Sequence, residues 1–95
     1  MENEELVHNE RVHAFELMIE GKRSFIDYQK SGDKIYLTHT EVPQEQQGRG
    51  IADKLVRKTL EYIEKNDLKV VPQCQFVRVF LKRHPEWDRL VASYD

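Results

Sequence analysis

The stretch Gln47-Gly48-Arg49-Gly50-Ile51-Ala52 lies between an apolar run that ends at Val42-Pro43 and a helical pattern that continues to about Asn66. A strand, a glycine turn and a helix in that order leave few architectures open. The chain must reverse within a few residues, and glycine permits both the tight turn and close approach of a ligand to the backbone. The helix then opens with unpaired N–H groups and the positive end of its dipole. Such a turn either holds an anion, phosphate above all, or is a plain connection whose glycines relieve strain. Spacing alone leaves both readings standing.

Three strands are predicted ahead of this turn. Ala14 to Ile19 places Phe15, Leu17 and Ile19 on one side and Glu16 and Met18 on the other, the period of two of a half-buried strand. Gly21-Lys22 suits a tight turn. Ser24 to Gln29 resumes the alternation, with Ile26 and Tyr28 sharing a side, and Ser31-Gly32-Asp33 marks the next turn. Ile35 to Val42 is rich in the β-branched and aromatic residues that strands favour. Connections this short give an antiparallel meander. His39 and Glu41 share a face with Ile35 and Leu37, because side chains repeat every two residues, and Tyr36, Thr38 and Thr40 point the other way. Residues 1–11 are polar with mixed charge and are read as a loose arm, with a short strand near Leu6-Val7; His8 and His13 are read as surface residues.

The helix after the turn spans about Gly50 to Lys65. Ile51, Ala52, Leu55, Val56, Leu60 and Ile63 form its apolar stripe, and charged residues fill most of the rest. Leu68 to Val71 is a short fourth strand, stopped by Pro72, which cannot donate to a ladder. A strand–helix–strand unit makes this strand parallel to the third, with a right-handed crossover. Phe76, Val77, Phe80 and Leu81 have helical spacing up to Arg83. Pro85 then breaks that helix and opens another over Glu86 to Ala92, with Trp87, Leu90 and Val91 turned to the core. The predicted class is α+β: a mostly antiparallel sheet of about four strands, one long crossover helix and one or two short C-terminal helices.

With 95 residues the chain reads as a single domain, 1–95. A net charge of −2 supplies no global basic field for nucleic acid, and no apolar run reaches the roughly 20 residues of a membrane span. The single cysteine excludes an internal disulfide and fits a reducing cytoplasm. A cytoplasmic monomer without bound metal is therefore expected. Strands three and four, if parallel, end at one edge of the sheet, where the glycine loop follows one and Cys74 follows the other. Ligands of open α/β sheets gather outside such strand ends. His39 and Glu41 either emerge into solvent or line that cleft, the imidazole suiting proton exchange near neutrality. Cys74, at a helix N-terminus, is either a nucleophile or a small buried hydrophobe. Arg49 and Lys54 are the cations nearest the loop, and Lys82-Arg83-His84 is a second basic group, for phosphate or for solvent.

The pattern Gln-x-x-Gly-x-Ala at Gln47, Gly50 and Ala52 has company. His39-Thr40-Glu41-Val42-Pro43 precedes it, Val70-Val71-Pro72-Gln73-Cys74 follows the helix, and Arg83-His84-Pro85-Glu86-Trp87 comes near the end. Over roughly residues 10 to 91 this order resembles the small, single-domain branch of the GCN5-related N-acetyltransferases. The resemblance implies acetyl-CoA as cofactor, its pyrophosphate on the backbone N–H groups of Gln47, Gly48, Arg49, Gly50, Ile51 and Ala52. It implies a pantetheine arm between the two parallel strands beside Val42, and Arg83 near the 3′-phosphate. The thioester would lie near His39, Glu41 and Cys74, and an amine deprotonated there would attack the acetyl carbonyl. Two departures bear on activity. Phe76 and Phe80 stand where many members place a tyrosine acid, and the chain lacks the segments that usually build an acceptor pocket. The acceptor amine is thus unspecified, and the alternative is a CoA-binding module with little or no transferase activity. A nucleotide or RNA binder ranks third, because a Walker ending and an RNA-recognition aromatic pattern are both missing.

Overall fold

The computed structural model describes residues 4–94. Five strands form one sheet: β1 (Val7–Asn9), β2 (Ala14–Ile19), β3 (Lys22–Ser31), β4 (Lys34–Glu41) and β5 (Lys69–Pro72). Their spatial order is their chain order, antiparallel from β1 to β4 and parallel between β4 and β5. Helix α1 (Ile51–Lys65) makes the crossover, and α2 (Gln75–Arg83) follows β5. Among the described residues no helix is long and apolar enough to cross a membrane.

The short strand expected near Leu6-Val7 is present as β1, displaced to Val7–Asn9, and it adds a fifth strand to the expected four by pairing with β2 through Val7↔Glu16 and Asn9↔Ala14. No alternation marks Val7-His8-Asn9 as a strand. What fixes it is His8, which is not the surface residue expected. Its ring stacks on Phe15 at 4.7 Å and meets the edge of Tyr62 at 4.9 Å, and its Nε2 shares a 2.5 Å hydrogen bond with Tyr28 Oη. Burial lowers the His8 imidazole below its ordinary 6.5, outweighing the opposite pull of Glu10, while His13 adds to the lowering. A base depressed in this way stabilises the fold above the unfolded-state value and loses that contribution as pH falls through the folded-state value. Denaturant midpoints are therefore expected to fall more between about pH 7 and about pH 5.5 in the wild type than in His8→Phe, which has no proton to take up there.

The core lies between the sheet and the helices. Helix α1 buries Ile51, Leu55, Val56, Thr59, Leu60 and Ile63, at the spacing of one helical face. The sheet answers with Phe15, Leu17, Ile26, Ile35, Leu37 and Val70, and α2 adds Val77, Phe80 and Leu81. The C-terminal segment differs from the expected helix. Pro85–Leu90 forms 3-10 turns, and Val91 then bridges to Val70, with Ala92 N–H donating to Val70 O at 2.9 Å. Leu90 is buried and Trp87 and Val91 pack against the core, as the apolar spacing predicts.

One irregularity decides the geometry of the site. Between β3 and β4 the register slips by a residue: Asp27 pairs with His39, but Tyr28 pairs with Leu37. Thr38 is the extra residue of a β-bulge, and an extra residue reverses the alternation beyond it. Before the bulge Ile35 and Leu37 point to the core. After it Thr40, opposite buried Ile26, points there instead, and His39 and Glu41 turn to the other face beside Asp27 and Phe25. The expectation that His39 and Glu41 continue the Ile35–Leu37 row is thus corrected.

Candidate functional site

The parallel pairing of β4 with β5 stops at Leu37↔Pro72. Leu37 O accepts from both Gln73 N–H and Cys74 N–H at 2.9 Å, and the chain then leaves the sheet to start α2 at Gln75. β4 runs on to Glu41 with no strand beside it on that side. Thr40 and Cys74 face each other across the opening, Oγ1 and Sγ sharing a hydrogen bond at 3.2 Å. Cys74 is buried, at 9% exposure, and belongs to the core cluster.

The glycine loop closes one end of the opening. Residues Gln44–Gln46 form a 3-10 turn, and Gln47 Nε2 donates back to Val42 O at 3.2 Å. Gly48 and Gly50 have φ of +84° and +78°, the left-handed region that glycine alone enters without strain. Gly50 is the N-cap of α1, and no side chain caps the helix. The first-turn N–H groups are therefore left for a ligand or solvent. A Cβ built on Gly50 meets nothing within 4 Å, so substitution there is resisted by backbone strain and not by crowding. Gly50→Ala is expected to cost about 1–2 kcal/mol, read as a lower urea midpoint.

A cavity of about 480 Å³ lies where these parts meet, lined by Thr40 and Val42 from β4 and its exit, by Gly48, Gly50 and Ala52 from the loop and α1, and by Phe76 from α2. Gln46, Gln47, Ile51 and Asp53 complete the wall. Of the residues singled out from sequence, Val42, Gln47, Gly48, Gly50, Ile51 and Ala52 are thus brought together, and Cys74 joins them through Thr40. The remaining ones sit elsewhere. His39 Nε2 and Glu41 Oε2 are 2.6 Å apart, but on the face turned away from the cavity, each with more than half of its side chain exposed. Arg49 forms a bidentate pair with Glu20 at 3.2 and 2.8 Å. Lys54 pairs with Glu4. Arg83 ends α2, about 13 Å along the axis from Cys74 at a rise of about 1.5 Å per residue.

Sequence reasoning did not assign Thr40 or Phe76 to the site. Thr40 reaches the cleft only because of the bulge. Phe76 was read only for its helical spacing and as the residue standing where many members place a tyrosine, yet it is 37% exposed and walls the cavity. Its separation from Phe80 by four residues is the spacing of one helix face and gives no hint that the two rings have different surroundings.

Comparison with known proteins agrees with this geometry. The family model of the GCN5-related N-acetyl-transferases matches residues 14–90. Protein NATD1 of Homo sapiens is 33% identical over 81 residues, covering 82% of this chain and 72% of that protein. Protein NATD1 of Mus musculus is 32% identical over the same length. The NMR structure of a GCN5-like protein of Staphylococcus aureus, described as a candidate N-acetyltransferase, superposes with a TM-score of 0.73 over the whole of this chain and 94% of the other, at 23% identity. With the glycine loop, the parted strands and the crossover helix all in place, the chain belongs to the GCN5-related N-acetyltransferase family.

Proposed function

We propose that this chain binds acetyl-CoA in the cavity between β4, α1 and α2 and transfers the acetyl group to an amine. The observation that carries the reading is the meeting of two features at one cavity: the uncapped start of α1 behind two left-handed glycines, and the opening between β4 and β5 that ends on Cys74. The first suits the pyrophosphate, because N–H groups and the helix dipole both favour an anion. The second offers the thioester arm the stretch of β4 past Leu37 that has no strand on the β5 side, up to its exit at Val42. Arg83 fits the 3′-phosphate in this reading only if the adenosine end lies along α2.

The bulge gives the chemistry two sides. The cofactor would enter from the α1 face. The amine would come from the opposite face, where the hydrogen-bonded His39–Glu41 pair stands. Its proton would pass to that pair or to a water held by it. The amine lone pair would then form the new C–N bond, and the C–S bond would break to release CoA thiolate, which takes up a proton. Cys74, in the opening, is the proposed donor of that proton. The competing role for Cys74 is to take the acetyl group itself, as a thioester that the amine then cleaves.

Titration of backbone amides with acetyl-CoA is the test. Shifts confined to residues 40–52 and the start of α2 support the site; none at millimolar cofactor would sink it. Transfer across a panel of amines then separates the enzyme from a module that only binds CoA.

A further inference from the structure

The cofactor loop is short of internal support. Two of its residues are left-handed glycines, and no side chain caps the helix it opens. Beyond the bond from Gln47 to Val42 O, its side-chain supports reach to another element, the β2–β3 hairpin, which meets the loop at three points. Gln46, 1% exposed, donates from Nε2 to Ile19 O at 2.8 Å. Lys22 Nζ lies 2.8 Å from Glu45 Oε2. Arg49 holds both carboxylate oxygens of Glu20. Glu20 itself has φ of +54° in the two-residue turn that joins Ile19 to Lys22. That conformation is uncommon outside glycine, asparagine and aspartate, and here it sets a longer carboxylate within reach of Arg49. The partners respond as paired groups do. Hydrogen bonding from Arg49 holds the Glu20 carboxyl below its ordinary value, and Lys22 does the same for Glu45.

We propose that the β2–β3 hairpin is a clasp that shapes the glycine loop for its ligand, and that Arg49 acts there as a positioning residue through Glu20 and not as a phosphate ligand. The inference rests on the cofactor reading for what the loop binds, and on the three contacts for how it is held. It predicts a sign that simple electrostatics opposes. Removing a carboxylate beside an anion site tightens anion binding by Coulomb attraction alone. If Glu20 instead holds the loop, its removal weakens binding.

The experiment is calorimetric titration of CoA into the wild type, Glu20→Gln, Arg49→Gln and the double variant, with amide hydrogen exchange at residues 48–51 of the ligand-free proteins. Each single change is expected to weaken CoA binding about two- to fivefold, the range of an exposed pair. The double variant is expected to be no weaker than either single, because both remove the same contact. Exchange in the loop should quicken in both singles and no further in the double. An Arg49→Gln loss with Glu20→Gln unchanged or tighter would show Arg49 meeting the phosphate directly, and losses that multiply in the double would make the two residues independent; either overturns the clasp. Wild-type affinity in every variant does so too. Failure of the wild type to bind CoA is a different result: it removes the cofactor reading, and loop exchange alone then decides the clasp, unchanged rates refuting it. Unfolding midpoints measured alongside identify any variant whose loss is one of folding.

Discussion

His39→Ala is expected to lower kcat/KM for acetyl transfer by about 10²–10⁴-fold, the usual contribution of a positioned acid–base group, and to leave CoA affinity at the wild-type value. The split follows from the bulge at Thr38, which puts His39 on the face away from the cavity. Glu41, 2.6 Å from the imidazole, is expected to matter less, since it orients the ring and His39 would take the proton. Cys74→Ala supplies the contrast. If Cys74 carries the acetyl group, mass spectrometry of the wild type with acetyl-CoA shows an adduct of one acetyl that the variant lacks, and the adduct builds up in His39→Ala. If Cys74 only donates a proton, no adduct forms in either protein. Equal loss of CoA affinity and turnover in His39→Ala would mean that the imidazole belongs to the cofactor site, and the two-sided arrangement would be abandoned.

The largest effect on stability is expected from Leu60→Ala. Leu60 is fully buried in the stripe of α1 that faces the sheet. Truncation removes apolar contact and leaves a cavity that close-packed neighbours refill only in part, at a cost of about 2–5 kcal/mol. Against a total of roughly 5–15 kcal/mol for a native domain, the folded state would be close to its limit. At about 4–8 °C per kcal/mol for a domain of this size, Tm should fall by at least about 8 °C. A calorimetric shift of only a degree or two would mean that the sheet closes onto the helix and fills the gap.

These two residues also show where sequence was informative. Leu60 belongs to a run whose apolar spacing repeats over four turns, so the helix, its buried face and its place after the glycine turn were all legible. Val42, Gln47, Gly48, Gly50, Ile51 and Ala52 were legible for a related reason: they fall within eleven consecutive positions, 42–52, and their chemistry is local. His39 was legible as a residue of interest but not by direction. Its orientation depends on one extra residue at Thr38, and threonine at a bulge looks like threonine in any strand. A short strand was legible near Leu6-Val7, but its bounds and its place in the sheet were not, because they depend on packing of His8 against Phe15, Tyr28 and Tyr62, residues far along the chain. Arg49 was read from its neighbours in sequence, whereas its partner, Glu20, lies 29 positions away. Local patterns thus exposed what neighbours decide and concealed what distant contacts decide.

The strand order has a consequence for how the molecule is made. Each strand lies beside its neighbour in the chain, so β1 to β4 can zip up by successive hairpins, at low contact order and early in synthesis. The cavity cannot follow that schedule. Its wall includes Phe76, which comes after the crossover helix and β5. A nascent chain ending before that point can own a meander and a glycine loop, yet it has no enclosed place for a guest. Small molecules stabilise only the states they bind. A ligand of this cavity therefore acts as an inspector of finished work, holding completed chains and passing over partial ones.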